Sequence, residues 1–412
     1  MAVQDDATNP ASPDDRGGGG PDEPLIPQVA PLFAAYTAFG VFWGVWVVVF
    51  ADFLAARGIS EGLVGLYLGA LAAVSILTMT LVAPRLQRLP PAATVSAGLA
   101  CMGLGALCIA FGAGRSWLAL GFVLLGLGNA FIDVFVNVGA QAAEVRHRRP
   151  VLQLLHASYS VGGIVGALGA AILHVAGASF GRQLAAVAVV LFGSALWNAA
   201  SPWLREPPPA ADAVEPRPKV SLAVFLRSPV LILPAMVVLS AFMVEGSMDI
   251  WSVIYLRRSL AASVVTGGIA FAAFSGAMAV GRLLAGRLLF GLGYRATIQL
   301  SGAGSVLAGL VAAIAHSATV AGVAFLLLGF CVSWAAPAAF GMIGETEADP
   351  VLAVAGMTTV GYSGFVVGPP IMGWLAQTAG LRATMLVIVL AALGVALGGL
   401  GRRREARPTP PG

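Results

Sequence analysis

Two carboxylates stand four residues apart in an apolar stretch, "AFMVEGSMDIWSVIYLRR" at residues 241–258. On a helix, Glu245 and Asp249 would share one face, about 6 Å apart along the axis. Two acids this close in a dry site do not both ionise, so one of them favours the protonated form. We interpret both as candidates for proton binding, with Glu245 nearer the middle of the stretch. The alternative for Asp249 is an ion pair with Arg257 or Arg258.

A third carboxylate, Asp133, lies near the middle of another apolar stretch, with no basic residue close to it in sequence. At the centre of a membrane helix a charged carboxylate costs about 3 kcal/mol, and such residues usually mark ion pathways. Asn137 and Glu144 follow within about 40° of the same helix face. Asp133 is therefore a second proton-coupling candidate, the alternative being a buried structural acid. Asn137 is a candidate solute contact, and Glu144 is expected to pair with the arginines of residues 146–149.

Aromatic residues form one continuous stripe along the first apolar stretch, at spacings of three and four residues. The stripe consists of Tyr36, Phe39, Trp43, Trp46, Phe50 and Phe53. Helix packing is one interpretation of it. The other is a stacking wall for an apolar or sugar-like ring, in which Tyr36, Trp43 and Trp46 contact the solute and Trp334 supplies an opposing face.

Further polar residues are candidates for proton relay or gating. His156 and Ser160 lie one helical turn apart, where they either relay protons, bond to Glu144, or only pack. Arg282 is expected close to the end of its apolar stretch, where an arginine commonly anchors a helix. By this placement no Lys or Arg lies in the central third of any apolar stretch, so the buried acids have no fixed basic partner.

The composition describes the elements that must position these residues. Of 412 residues, 58% are apolar and 10% are charged, against about 25% charged in soluble domains. This number of charged residues is too small to cover a water-facing surface. Most of the surface must therefore face lipid. The net charge of +4 then concerns orientation, and a nucleic-acid partner has no support. We find no disulfide framework, metal-ligand cluster, cofactor motif or catalytic constellation, and we expect no enzyme.

Twelve apolar windows match the length of about 20 residues that a membrane helix needs. They cover residues 30–53, 62–83, 92–111, 117–142, 151–176, 183–203, 229–255, 263–284, 296–315, 318–342, 351–376 and 382–400. The acidic segment before them lacks the basic region of a signal peptide, so the first window should remain as an uncleaved anchor.

The basic residues predict the orientation of these windows. With both termini cytoplasmic, 17 of the 23 Lys and Arg residues fall on the cytoplasmic side and 6 on the other. This bias obeys the positive-inside rule. The sequence therefore predicts an all-α, multi-pass protein of the plasma (inner) membrane.

The chain divides into two related halves. A shift of 202 residues lays "APRL" at 83–86 over "AGRL" at 285–288, and Gly162 and Gly166 over Gly364 and Gly368. Two matches at one offset indicate a duplicated six-helix unit. The predicted organisation is a disordered cytoplasmic tail 1–28, bundles 29–204 and 228–401, a cytoplasmic linker 205–227 and a basic tail 402–412. Gly364, Gly368 and Pro369 are expected to allow close helix contact and local unwinding, a structural role that could include a hinge.

Four stretches carry a resemblance to a known family: "GNAFIDVFVNVGAQAAEVRHRRP", "LLHASYSVGGIVGA", "EGSMDIWSVIYLRR" and "VGYSGFVVGPPIMGWLA". Over residues 30–400 the chain resembles the major facilitator superfamily, and more narrowly its YbjJ-like branch near the fucose-permease type. The resemblance implies 12 transmembrane helices in two pseudo-symmetric six-helix bundles. It also implies that the first, fourth, seventh and tenth spans line a central cavity about which the halves rock.

The chain departs from the pattern of this family in one loop. The family's loop after the second span usually reads G-x-x-x-D-R-x-G-R-R. Here Arg85 follows Pro84, and in the second half Arg287 follows Gly286, so both acidic positions are missing. We therefore expect the usual gating lock of that loop to be absent.

These features together predict a secondary transporter of the alternating-access type. We expect proton-coupled symport of a small polar or sugar-like solute by a monomer, with Asp133 and Glu245 as the titrating pair. The first alternative is proton-coupled efflux of cationic or amphipathic drugs. A non-transporting membrane sensor is a more distant alternative, because both tails are too short to hold a folded domain.

Overall fold

A computed structural model describes residues 25–86, 89–147, 149, 151–202, 229–342 and 350–400. The predicted linker 205–227 and the predicted tail 402–412 lie outside these residues, as does most of the predicted tail 1–28. Residues 25–28 are described, and they already belong to the first helix rather than to a disordered tail. The described chain is helical throughout and contains no strand.

The described residues form fourteen α-helices. In chain order they are α1 Leu25–Arg57, α2 Glu61–Leu77, α3 Ala83–Leu86, α4 Pro91–Phe111, α5 Arg115–His147, α6 Leu152–Val175, α7 Phe180–Ala200, α8 Pro229–Ser259, α9 Val264–Leu292, α10 Tyr294–Ile314, α11 Ala318–Val332, α12 Ala335–Gly341, α13 Pro350–Ala379 and α14 Leu381–Gly398. A π-helical turn, Thr78–Val82, joins α2 to α3.

Eleven segments are long and apolar enough to cross a membrane, counting α2 to α3 and α11 to α12 as one segment each. The 30-residue helix α13 is the remaining long helix of the bundle. Most of the predicted windows are therefore correct, but their ends and continuity are not. The window 263–284 covers only the first part of a helix that runs from Val264 to Leu292, and the window 318–342 is broken at Ser333 and Trp334.

Serine residues start four of the membrane helices. The side chains of Ser60, Ser179, Ser263 and Ser317 each accept a hydrogen bond from a backbone N–H three residues later. Such N-caps satisfy one of the free donors of a helix N-terminus. All four caps lie at the same end of the bundle, where α1 ends and α2 begins. We call this end the distal side, and the opposite end, where α1 begins and α14 ends, the terminal side.

The two halves pack their helices in the same pattern. In the first half α1 packs on α6 and α7, and α4 packs on α5 and α7. In the second half α8 packs on α13 and α14, and α10 packs on α11 and α14. These helices are equivalent under the 202-residue shift. The chain therefore folds as two six-helix bundles related by pseudo-symmetry.

Glycine pairs bring equivalent helices into close contact in each half. A Cβ atom on Gly162 or Gly166 would collide with the backbone of α1, and one on Gly364 would collide with the backbone of α8. Gly368 faces α8 one turn later. Close helix contact was thus correctly predicted for this motif. Local unwinding was not, because α13 continues as an α-helix through Pro369.

The halves meet along α1 and α8, α2 and α13, and α6 and α9. Near the distal surface Arg257 donates to Asp52 at 2.7 Å, and Arg258 forms an ion pair with Glu61. Deeper in the bundle, the backbones of Gly65 on α2 and Gly373 on α13 touch. These contacts close the two halves against each other on the distal side.

Candidate functional site

Asp133 lies in the middle of α5 and receives two hydroxyl groups. The Tyr36 hydroxyl donates to Oδ1 at 3.1 Å, and the Tyr362 hydroxyl donates to Oδ2 at 2.8 Å. Tyr36 belongs to α1 in the same half, whereas Tyr362 belongs to α13 in the other half. A single carboxylate therefore connects the two bundles near the centre of the protein.

Tyr362 was not singled out from the sequence. It stands two residues before Gly364 in the stretch "VGYSGFVVGPPIMGWLA". A buried tyrosine hydroxyl usually finds a hydrogen-bond partner, so a tyrosine inside an apolar helix was the available signal. The sequence offered no indication of which partner it would find.

Asn137 and His156 extend the network around Asp133. Asn137 Nδ2 donates to the backbone carbonyl of Asp133 at 2.5 Å, and Asn137 Oδ1 lies 3.0 Å from His156 Nε2. The Tyr36 hydroxyl lies 3.4 Å from His156 Nδ1. A carbonyl accepts and does not donate, so the Asn137 amide nitrogen must face it and the amide oxygen must face His156. The His156 Nε2 atom therefore carries a hydrogen.

Glu245 has a fixed basic partner, contrary to expectation. Arg282 Nη2 donates to both carboxylate oxygens of Glu245, at 2.9 and 3.0 Å. The expectation failed because α9 extends ten residues beyond Arg282, about 15 Å, so this arginine lies inside the helix rather than at its end. Arg282 thus pairs with a partly buried acid instead of anchoring the helix. The Arg282 side chain is still 44% exposed and that of Glu245 20% exposed.

Asp249 lies one turn beyond Glu245 towards the distal side. Its expected partners are occupied elsewhere, because Arg257 pairs with Asp52 and Arg258 with Glu61. Within the described residues, Asp249 has neither a hydrogen bond nor an ion pair. Its carboxylate interacts electrostatically with both members of the Glu245–Arg282 pair. Asp249 is thus the second acid of the site that lacks a basic partner.

The two clusters belong to one polar layer. The charges of Asp133, Glu245 and Arg282 all act on the His156 imidazole, and the Tyr159 ring packs on Tyr36 with centroids 5.4 Å apart. His156 begins the second turn of α6 and is exposed. The layer therefore ends in an exposed side chain near the terminal side of α6. The residues that form the layer lie on α1, α5, α6, α8, α9 and α13.

Ser160 and Glu144 take no part in this network. Ser160 donates only to the carbonyl of His156 in its own helix, at 3.4 Å. The Glu144 carboxylate accepts the backbone N–H groups of Val151 and Leu152, at 2.8 and 3.1 Å. It thereby caps the N-terminus of α6, where the helix dipole also stabilises a negative charge. The bond predicted between His156 and Glu144 is wrong, because His156 faces Asn137 and Tyr36.

The aromatic stripe serves mainly to pack helices. Trp46 is 1% exposed and packs on Phe122 of α5 with ring centroids 5.7 Å apart. Trp334 is also buried, edge-on to Phe330 beside α9. Tyr36 is buried and bonded to Asp133. Trp43 is the one member of the stripe that remains partly exposed.

The two loop arginines form no acidic lock in the part of the chain that is described. The Arg85 guanidinium donates to the carbonyl of Leu81 in the π-helical turn. Arg287 is exposed and has no ion pair among the described residues. Over the same residues, no group of three His, Cys, Asp or Glu side chains is arranged to hold a metal ion.

The chain is similar to known membrane transporters along most of its length. The family model described as Major Facilitator Superfamily matches residues 32–346 and 252–412. An uncharacterised MFS-type transporter of Yersinia pestis is 29% identical over 379 residues, covering 91% of this chain and 95% of that protein. The membrane protein MosC of Rhizobium meliloti is 28% identical over 296 residues, covering 70% of this chain and 69% of MosC.

Solved structures share the fold at low sequence identity. The nucleoside transporter NupG superposes with a TM-score of 0.73 at 13% identity, covering 90% of this chain and 99% of NupG. The Escherichia coli fucose:proton symporter FucP gives a TM-score of 0.55 at 14% identity, covering 92% and 98%. The assignment to a YbjJ-like branch near the fucose permeases stays a prediction. From the extent of the family match and the shared fold, the chain belongs to the Major Facilitator Superfamily.

Proposed function

We propose that this secondary transporter couples the uptake of a small polar or sugar-like solute to protons. The observation that carries the proposal is the Asp133 carboxylate. It is held by uncharged hydroxyl groups from both halves and has no Lys or Arg partner among the described residues. Proton uptake would neutralise this carboxylate and thereby weaken its hydrogen bonds to both bundles.

Glu245 is a poorer proton carrier than Asp133. Protonating Glu245 would leave the Arg282 guanidinium without its partner, and unpaired charges away from water are costly. Asp249 lacks such a partner and is the second proton-binding candidate. We assign the Glu245–Arg282 pair to solute binding or to the movement of α8 against α9.

Arg282 and Trp43 favour a polar, ring-like solute. Only Nη2 of Arg282 is used by Glu245, so within the described residues Nη1 and Nε are free to donate to solute hydroxyl groups. Trp43 offers a partly exposed ring, and Asn137 lies at the edge of the network. Together these groups supply the stacking face and the hydrogen bonds that a sugar-like solute needs.

The conformation fits alternating access. The halves are closed on the distal side by the Asp52–Arg257 and Glu61–Arg258 pairs, whereas Arg282 and His156, closer to the terminal side, are exposed. If the terminal side is cytoplasmic, as the basic residues predict, this is the state open to the cytoplasm. A monomer in the plasma membrane with both termini inside completes the proposal.

Transport by reconstituted protein tests the proposal. Proteoliposomes loaded with a pH-sensitive dye would be screened against sugars, polyols and organic cations for solute-dependent proton movement. We expect Asp133→Asn to abolish accumulation driven by a pH gradient while solute exchange across the membrane persists. Glu144→Gln is the matched control, an acid on the same helix face with a capping role. Asp133→Asn transporting with the parent's pH dependence would refute the proton assignment.

Proton-coupled efflux of organic cations is the second candidate. Asp133 and Asp249 both lack a basic partner in the described chain, so either carboxylate, when deprotonated, carries an unpaired negative charge that attracts cations. The same assay separates the two functions by direction. In symport, solute and protons enter together, whereas in efflux an inward proton flow drives the cation out.

A further inference from the structure

We infer that His156 and Tyr36 form a relay that delivers protons from the terminal side to Asp133. The inference rests on the proposed function, in which Asp133 is the proton-binding acid. Its basis is a continuous chain of polar atoms from an exposed imidazole to a central carboxylate. His156 Nδ1 lies 3.4 Å from the Tyr36 oxygen, which lies 3.1 Å from Asp133 Oδ1.

The hydrogen-bond directions around His156 support a relay. Asn137 fixes a hydrogen on Nε2, so neutral His156 presents a lone pair at Nδ1. That lone pair is the position at which a proton from solvent would bind. Once charged, His156 donates through Nε2 to Asn137 and through Nδ1 to Tyr36. Tyr36 then donates to Asp133, and every donor in the chain has an acceptor.

The transfer needs no reactant beyond the proton. The Nδ1–H bond of charged His156 breaks as that proton bonds to the Tyr36 oxygen. The original O–H bond of Tyr36 breaks at the same time, and its proton bonds to Asp133 Oδ1. The products are neutral His156, neutral Tyr36 and protonated Asp133. Tyr36 is 4% exposed, so bulk water has little access to this hydroxyl except through the histidine.

Charged groups of both signs surround His156. They are the carboxylates of Asp133 on α5 and Glu245 on α8, and the guanidinium of Arg282 on α9. The remaining polar contacts are Tyr36 on α1 and Asn137 on α5. Because Glu245 neutralises Arg282, the nearby charge of Asp133 remains to attract the proton. This arrangement lets the proton move on rather than stay on His156.

A pH-jump experiment tests the relay without knowledge of the solute. The full-length protein in lipid would be followed by time-resolved infrared spectroscopy of the protonated-carboxyl band that disappears in Asp133→Asn. We expect Tyr36→Phe and His156→Gln each to slow the rise of this band at least tenfold, with its final amplitude unchanged. Tyr159→Phe is the matched control, since this neighbouring hydroxyl has no hydrogen bond among the described residues. It should keep the parent's rate.

The outcomes separate the relay from the proposed function. If Asp133→Asn removes no band, Asp133 does not titrate and the proton assignment itself fails. If the band is present but both Tyr36→Phe and His156→Gln reach it at the parent's rate, only the relay is overturned. Size-exclusion profiles and melting curves would show that each variant is folded. Should Tyr36→Phe fail to fold, His156→Gln alone decides, because it lies at the exposed end of the chain.

Discussion

At the scale of single residues, the polar layer contains acids with different partners. Asp133 is held by the neutral hydroxyls of Tyr36 and Tyr362, so its charge can change with proton uptake. Glu245 faces a guanidinium, which stays protonated in proteins. Both acids stand in apolar sequence and look alike there. Their partners give them different roles.

The Glu245–Arg282 pair predicts non-additive mutations. Glu245→Gln and Arg282→Gln should each destabilise the protein, because each leaves one charge unpaired in the layer. The double variant should recover part of that loss, with a coupling free energy of about 1 kcal/mol, since the exposed arginine is screened by solvent. Thermal unfolding of the parent, both single variants and the double variant measures this coupling. Additive losses would show that the pair contributes nothing to stability.

At the scale of helices, close contact between α1 and α6 depends on glycine residues, which have no side chain to hold the backbones apart. The backbone of Thr37 on α1 lies where a Cβ atom on Gly162 would be. In lipid, helices associate through such close packing rather than through the hydrophobic effect. The equivalent contact between α8 and α13 uses Gly364. In each half, the helices of the first and fifth spans are therefore packed backbone to backbone.

Gly162→Ala should disrupt this contact. The added methyl group forces α6 away from α1, and overpacking of this kind costs about 1–3 kcal/mol. Melting temperature and folded yield in detergent measure the effect. Gly169→Ala on the same helix is the control, because no atom lies within 4 Å of its added Cβ. Equal behaviour of the two variants would contradict the packing role of Gly162.

At the scale of the whole molecule, two ion pairs hold the distal side closed. Arg257→Gln and Arg258→Gln should each shift the population away from this state by up to about fivefold, since a partly exposed ion pair at a surface contributes about 1 kcal/mol. Spin labels at Arg85→Cys and Arg287→Cys, with the native cysteines replaced by serine, report the terminal-side distance. We expect this distance to shorten. Arg182→Gln is the exposed distal control. If Arg257→Gln and Arg258→Gln both give the same distance distribution as this control, the two ion pairs do not hold the distal side closed.

Tyr362 predicts how protonation reaches the second half. A hydroxyl donates about twice as strongly to a charged carboxylate as to a neutral one, so a proton on Asp133 weakens the bond to α13. Tyr362→Phe removes that bond and should shorten the terminal-side distance at every pH, as low pH does in the parent. The same spin labels measure this. If the terminal-side distance in Tyr362→Phe still changes with pH as much as in the parent, Tyr362 does not transmit the protonation of Asp133 to α13.

The sequence by itself determined the class of protein, the number of spans and the twofold repeat. Apolar composition and window length are local properties that the bilayer enforces on every segment, so they can be read without contacts. The cost of a charge in lipid also marked Asp133, Glu245 and Asp249. The roles of Trp46 and Glu144 could not be read from the sequence, because packing and capping use the same residue types as solute contact and gating.

Only the tertiary structure decided which residues meet. Arg282 reaches Glu245 across 37 residues, and Tyr362 reaches Asp133 across 229. No local pattern encodes such pairs, because they depend on how far α9 extends and on how the two bundles face each other. The same holds for the distal pairs of Asp52 and Glu61. Position in apolar sequence thus marked the acids, while the partners that assign their roles came from the packing of distant helices.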